Sequence, residues 1–258
     1  MAKKKILFIN QEISPYMDDN NLSVMGRELP CVMQELGHEI RTFMPKWGSI
    51  NERRGQLHEV QRLSGMNLII NDTDHPLIIK VASIQSSRVA VYFIDNDDYF
   101  SKRRAISDDA GERSIFFARG VLETVKKLRW VPDVIHCQGW MSAIVPFFVK
   151  TAYADEPSFA DAKVVISLFN NSLPQELDEK FRQSVTFRDA KPELLAGYGD
   201  HIGLEELGRI AIDYSDGVIF GEKDISKTLQ DYVAEKGIPQ LPFIEDFANA
   251  FEEFYEKL

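Results

Sequence analysis

KKILFINQEISPYMDDNNLSVMGRELPCVMQELGHEIRTFMP, residues 4–45, is the stretch on which the fold turns. It opens with a short apolar run, Lys4 to Asn10, that reads as a buried strand, and continues into a polar loop from Gln11 to Asn21. Leu22, Met25, Leu29, Val32, Met33 and Leu36 then recur at spacings of three and four, one face of a helix, and Gly37 stands where a helix C-terminus needs a left-handed residue. Pro30 falls inside this run and either opens the regular part of the helix or kinks it. Glu39 to Met44 is a second strand, stopped by Pro45. Strand, helix and strand in about 40 residues make a βαβ unit with parallel strands.

Outward from this unit the pattern first changes. Leu57–Leu63, Met66–Asn71, Leu77–Ile84 and Arg88–Ile94 are short, Val/Ile-rich and separated by Asp72, Asp74 and Pro76, which predicts a β-rich insertion with at least one hairpin. A polar segment spans Asp95–Asp109, and an amphipathic helix is expected over Glu112–Leu128. Strands are expected at Asp133–Cys137, Lys163–Leu168 and Asp216–Phe220. The helices between and after them are Met141–Lys150 (bent at Pro146), Leu204–Tyr214 and Asp224–Lys236. Asn170–Asp200 is polar and irregular. The alternation implies an α/β, Rossmann-like three-layer domain with a mostly parallel sheet over residues 1–236, followed by a terminal helix in 237–258.

In that last segment Ile244, Phe247, Phe251, Phe254 and Leu258 lie 3, 4, 3 and 4 apart, with Glu245, Asp246, Glu252, Glu253 and Glu256 off the seam. The seam predicts a helix from Phe243 to Leu258 that packs back on its own domain, in preference to pairing with a second copy, because two heptads are short for a coiled coil. A monomer is the expected state.

Composition excludes several function classes. The 258 residues are 44% hydrophobic and carry 40 acidic against 30 basic side chains, a net charge of −10. That charge repels phosphate backbones and anionic lipid, so neither nucleic acid nor membrane is an expected partner. Cys31 and Cys137 are too few for a disulfide framework. No apolar run suits a secretory leader or a membrane span, and the expected location is the cytoplasm. Gly197-x-Gly199 follows no strand and the five histidines have no ligand spacing, so no cofactor and no metal is expected. Asp95-Asn96-Asp97-Asp98 lacks the Gly and distal Glu of a calcium loop and reads as a solvated turn.

More specific are the loop Glu12-Ile13-Ser14-Pro15 leading to Leu22 and Leu29-Pro30, and the segment Trp130-Val131-Pro132-Asp133-Val134-Ile135-His136-Cys137-Gln138-Gly139-Trp140. A third is Val91-Tyr92-Phe93-Ile94-Asp95 with Tyr99-Phe100 and Phe116-Phe117-Ala118-Arg119. Gly37-His38, Met44-Pro45 and Tyr214-Ser215-Asp216 accompany them. In this order and spacing, over residues 4 to 222, they resemble the N-terminal half of bacterial glycogen synthases and plant starch synthases. The resemblance implies one half of a GT-B glycosyltransferase. Family members transfer glucose from ADP-glucose to the non-reducing end of an α-1,4-glucan with retention and without a metal. Their N-terminal domain binds the glucan and covers the donor, and a second domain, expected to be missing here, supplies most of the nucleotide-sugar site.

The resemblance also marks departures. Where the family has Lys-x-Gly-Gly-Leu this chain has Asp18-Asp19-Asn20-Asn21-Leu22, and the family's His-Asp-Trp becomes Gln138-Gly139-Trp140. Thr-x-His-Asn becomes Ser167-Leu168-Phe169-Asn170. The family's lysine should face the donor's phosphates, so an acid at Asp18 replaces attraction by repulsion. Glutamine at 138 hydrogen-bonds but carries no proton, and Phe169 puts an apolar ring in place of a cleft histidine. The substrate-binding positions that the resemblance implies are therefore Glu12, Asp18, Asp19, Asn20, Asn21, His136, Gln138, Trp140 and Asn170, with Gln138 and Phe169 degenerate and no catalytic residue assigned. His136 is either one of these or a packed core residue, and Trp140 either stacks on a sugar or fills the core. The expected function is a synthase-like domain of α-1,4-glucan metabolism, non-catalytic alone, that binds an α-glucan or maltooligosaccharide or a partner subunit. The alternative is a working glucosyltransferase completed by a donor domain on a separate chain.

Overall fold

The structure, a computed structural model, describes residues 2–85, 87–101, 109–170, 173, 174, 176, 177 and 179–258. Its elements run β1 (Lys5–Asn10), α1 (Asn21–Glu35), β2 (Glu39–Pro45), α2 (Glu52–Gly55), β3 (His58–Glu59), β4 (Met66–Ile70), β5 (Thr73–Ser83), β6 (Ala90–Asp95), α3 (Asp97–Phe100) and α4 (Ala110–Lys127). They continue through β7 (Val134–Gln138), α5 (Val145–Lys150), β8 (Lys163–Leu168), α6 (Glu179–Ser184), α7 (Leu204–Asp213), β9 (Gly217–Phe220), α8 (Lys227–Lys236), β10 (Gln240–Leu241) and α9 (Ala248–Lys257). The strands form one sheet in the order β10-β9-β8-β7-β1-β2-β6-β5-β3, with β4 on β5. Pairing is parallel from β10 through β6, while β5 runs antiparallel to β6, β3 and β4. This is the expected α/β, Rossmann-like architecture with its β-rich insertion.

The central strands are buried on both faces, which is why Ile6–Ile9 and Val134–Cys137 read as runs rather than alternations. α1 and α9 contact each other on one side of the sheet, and α4, α5 and α7 pack together on the other. Pro30 lies inside α1, buried. Its missing N–H leaves the Gly26 carbonyl without its helical donor, and Asn10 Nδ2 at the end of β1 donates to that oxygen over 3.4 Å.

Several boundaries differ from the sequence reading, each for a local reason. Asn71 and Asp72 have φ of 49° and 60°, a two-residue turn with both centres left-handed, so the β4–β5 hairpin closes there. β5 then runs on through Asp74 and Pro76, which the sequence suggests as turn residues. Leu57–Leu63 yields only the two residues of β3 before a turn. Pro146 does not bend a helix. A short 3₁₀ turn, Trp140–Ser142, precedes α5, and Pro146 occupies the first turn of α5, where no N–H is needed. The Asp95–Asp98 run is not a solvated turn: Asp95 is buried against Lys80 Nζ at 2.8 Å. Asn96 caps α3 by accepting from the Asp98 and Tyr99 amides. Residues 102–108 of the polar segment lie outside the described residues. The irregular stretch after Asn170 holds α6 and a 3₁₀ helix at Pro192–Tyr198, with residues 171, 172, 175 and 178 likewise outside.

The terminal helix starts at Ala248 rather than Phe243; in the segment before it the Lys223 ammonium meets the Glu245 carboxylate at 2.8 Å and lies 5.5 Å from the Phe243 ring centre. α9 lies on its own chain. Tyr255 and Phe251 pack against His136. Glu252 pairs with His38 at 3.2 Å and Glu256 with Lys4 at 3.6 Å. Gly217 of β9 leaves room for Phe254, whose ring would come within 2.9 Å of a Cβ at that position. Among the described residues no helix is long and apolar enough to cross a membrane.

Candidate functional site

β1 and β7 are adjacent, and their connections leave in opposite directions, β1 to β2 and β7 to β8. A crevice therefore opens beyond the carboxyl ends of these strands, where α/β sheets hold ligands. Its floor is a register pair, Asn10 opposite Gln138. Both side chains are fully buried, and Asn10 Oδ1 and both polar atoms of the Gln138 amide have no hydrogen-bond partner among the described residues. An unpaired amide in such a place costs about 1–3 kcal/mol.

The loop after β1 is pinned across this floor. Gln11 N donates to Gln138 O over 3.1 Å, and Trp47 Nε1 donates to Gln11 O over 2.9 Å. Gly139, at φ 84°, lets the Gln11 side chain lie against it: a Cβ there would stand 2.7 Å from Gln11 Oε1. Farther along, Glu12 accepts from Gln11 Nε2 at 3.2 Å and from Asn20 Nδ2 at 2.7 Å. Ser14 N donates to Ser23 O, and Gly26 allows the Glu12 carbonyl to sit on α1. Asn20 is the N-cap of α1, accepting from Ser23 N at 2.9 Å. Asp18 and Asp19 are exposed on the outer bend, with Asp19 accepting from Ser14 Oγ.

Asn21 and Asn170 meet through Glu222. Glu222 Oε1 accepts from Asn21 Nδ2 and Oε2 from the Asn170 amide, each at 2.9 Å, and Asn170 Nδ2 donates to Asp224 O at 2.7 Å. These ties join the first residue of α1 to the loops that follow β8 and β9. Beside them opens a cavity of about 560 Å³ between α1, the loops after β8 and β9, and residues 243–247. Among the described residues four carboxylates border it, with Lys223 the one ammonium.

The other implied positions lie deeper. His136 is buried between Tyr255 and Ser167, with Nδ1 2.6 Å from the Tyr255 hydroxyl and Nε2 2.7 Å from Ser167 Oγ. Burial pushes its pKa down to about 3, so it stays a neutral imidazole. Trp140 is buried and borders a small, largely apolar hollow together with Phe169. The Phe169 ring lies over Gly221, where a Cβ would come within 2.5 Å of it. Of the implied positions, Asn21 and Asn170 thus line the cavity beside Glu222, Glu12 and Asn20 are tied to each other in the loop before α1, Asp18 and Asp19 are exposed, and Gln138 and His136 are fully buried. The Glu222 contacts have no local signal in the sequence, since the Asn21–Glu222 bond spans 201 residues. Among the described residues no group of three or more His, Cys, Asp and Glu is arranged to hold a metal ion.

A sequence model described as the starch synthase catalytic domain matches residues 5–238. The chain belongs to that family. Glycogen synthases are among its relatives: that of Chlorobium limicola is 37% identical over 66% of this chain and 37% of its own length. That of Chlorobaculum parvum is 33% identical over 84% of this chain and 46% of its own. The catalytic domain of starch synthase IV from Arabidopsis thaliana, solved bound to ADP and acarbose, superposes with a TM-score of 0.78 at 17% identity, covering 94% of this chain and 52% of that one. The GT-B half-fold expected from the family motifs is therefore the one observed. The chain spans about half the length of these relatives, or less.

Proposed function

We propose that this starch-synthase-family domain works in α-1,4-glucan metabolism as a glucan-binding domain or partner subunit, monomeric and cytoplasmic, and transfers no glucose by itself. The observation that carries this reading is the charge on the loop before α1. Asp18 and Asp19 are exposed there, and Asp18 holds the position where the family resemblance puts a phosphate-facing lysine. The adjoining cavity adds an excess of carboxylates. Two unit charges at 4 Å in an effective dielectric of 20 interact by about 4 kcal/mol, so changing the sign of one group is a large penalty for an anionic donor. A neutral glucan bears no such penalty. The position of the family's first cleft histidine holds the Gln138 amide, which cannot shuttle a proton. That of the second holds the Phe169 ring.

Isothermal titration calorimetry of the purified chain with ADP-glucose and with maltohexaose tests the reading. Binding of maltohexaose without ADP-glucose is the expected result, and Asp18→Lys should raise ADP-glucose affinity at least tenfold while leaving maltohexaose unchanged. Micromolar ADP-glucose binding to the wild-type chain would favour the other reading, a glucosyltransferase completed by a separate donor-domain chain.

A further inference from the structure

Apart from the crevice, a second cavity of about 450 Å³ opens between α7 and α8, lined by Arg209, Lys227, Thr228, Asp231, Tyr232 and Glu235. Three features of its lining are ones that folding alone does not favour. The first is Arg209, whose guanidinium carbon lies 5.3 Å from the Tyr232 ring centre. Its Nε is buried without a hydrogen-bond partner, and among the described residues no carboxylate pairs with the group. The other two are the ends of α8. Lys227, a cation, is its first residue and Glu235, a carboxylate, its last but one, the reverse of the order that the helix dipole favours. Lys227 stands 3.9 Å from Asp231, beyond hydrogen-bond distance, and Glu235 has no cationic partner among the described residues. Lys236, beside Glu235 in sequence, is engaged by Asp213 at 2.7 Å. An open guanidinium and an open carboxylate border one cavity without meeting each other. We infer that this cavity binds a small zwitterion of the amino-acid class, its carboxylate on Arg209 and its ammonium on Glu235 and Asp231.

The chemistry of the lining selects the ligand class. A guanidinium presents its N–H donors in a planar fork that matches the two oxygens of a carboxylate, and such charge-assisted pairs are strong hydrogen bonds. The fork here is held in advance. The Tyr232 hydroxyl donates to Asp213 at 2.8 Å, which fixes the ring that the guanidinium lies over. Tyr198 and Lys236 close on the same Asp213 carboxylate, at 2.6 and 2.7 Å, so the platform is anchored from three elements. Thr228 adds a hydroxyl to the lining. Asp231 and Glu235 are neighbours four residues apart on α8 and offer carboxylate oxygens to an ammonium. Arg209 and Lys227 balance those two carboxylates, so neither a polyanion nor a polycation is favoured, whereas a molecule with one charge of each sign suits both. The volume lies within the range of small-molecule sites.

Nuclear magnetic resonance titration of the full chain with alanine, 4-aminobutyrate, butyrate and butylamine, on wild type, Arg209→Gln and Glu235→Gln, tests the site. Alanine and 4-aminobutyrate carry both charges at different spacings, and the other two probes carry one charge each. Arg209 is half-buried and Glu235 exposed, and neither makes a hydrogen bond or ion pair among the described residues, so both variants should keep the wild-type circular dichroism. The expected result is binding of at least one zwitterion, at least tenfold tighter than butyrate or butylamine, and weakened at least tenfold by each variant. Arg209→Gln should also weaken butyrate and leave butylamine unchanged, with the reverse for Glu235→Gln. Butyrate or butylamine binding as tightly as the zwitterions would overturn the proposal in favour of a site for a single charge. Zwitterion binding that either variant leaves unchanged, or no binding of any of the four, overturns it as well.

Discussion

Two polar clusters built from similar residue types differ in one respect, whether their atoms have partners. Around the β5–α3–α4 junction every polar group in the chain of contacts is paired. His75 Nδ1 lies 3.2 Å from the Asp98 carboxylate and Nε2 3.0 Å from the Tyr99 hydroxyl. Tyr99 donates to Glu112 Oε2 at 3.3 Å, and Glu112 Oε1 receives Asn71 Nδ2 at 2.9 Å and Lys180 Nζ at 2.6 Å. Burial, then the Glu112 carboxylate, drives the Tyr99 pKa far up, so the phenol remains a donor. At the β1–β7 end, by contrast, Asn10 and Gln138 keep buried amide atoms without partners. The first cluster stabilises; the second gives up stability at the place where the strand ends open. An unsatisfied buried amide is a device that folding alone does not favour, which is why the crevice, and not the richer His75 network, is the functional candidate.

The largest effect that sharpens this contrast belongs to the satisfied side. Arg113, almost wholly buried, donates Nε to Asp109 Oδ1 at 3.0 Å and lies over the Phe100 ring. Arg113→Ala strips a largely buried carboxylate of its guanidinium, and breaking such a pair costs about 3–5 kcal/mol. Guanidinium-chloride unfolding reads it directly. A loss under about 1 kcal/mol would mean that this corner is not the anchor its packing indicates.

Next is the pH response of His136, which sits between the two regions in kind: fully paired, but only while neutral. Its folded pKa of about 3 lies below the unfolded value of about 6.5, so the unfolded chain takes up the proton first. Stability is therefore intact above pH 6.5 and falls as pH drops toward 3. At 1.36 kcal/mol per unit, the descent from 6.5 to 5 costs roughly 2 kcal/mol from this group. His136→Gln retains hydrogen-bonding capacity toward Tyr255 and Ser167 without a titration. Chemical unfolding at both pH values should show a shallower loss in the variant by that amount, and parallel losses would sink the assignment.

What the sequence revealed follows the range of the forces involved. β1, α1 and β2 are legible because their apolar periods are set by residues within one or two turns, and the family motifs lie on those same strand ends. The β4–β5 turn is partly legible: Asp72 is named, but only the left-handed pair Asn71-Asp72 shows why Asp74 and Pro76 continue the strand. Asp95 looks solvated because its partner Lys80 comes from a neighbouring antiparallel strand. The start of α9 is misplaced because residues 243–247, though they continue the seam, meet Lys223, 20 residues before Phe243, in a contact that no local pattern encodes. At the site, Gln138 and Asn170 are found through the motifs that frame them, whereas Glu222 becomes visible only when α1 and the β9 loop meet.

The smallest effect bears most directly on the crevice, because it has the opposite sign to the others. Gln138→Leu replaces an amide whose nitrogen and oxygen are both buried and unpaired by an apolar side chain of similar length. The position is fully buried, so the change removes a standing desolvation cost. Leucine is a less suitable strand residue than a β-branched one, which offsets a few tenths of a kcal/mol. A net gain of about 1 kcal/mol is expected, a rise in Tm of roughly 2–4 °C for a chain of this size. In the paired cluster, where the Asn71 amide donates to Glu112 and Ser184, Asn71→Leu should destabilise. If Gln138→Leu lowers Tm instead, the amide is satisfied in solution, the difference between the two clusters disappears, and the β1–β7 end loses its claim to be the place where stability was exchanged for binding.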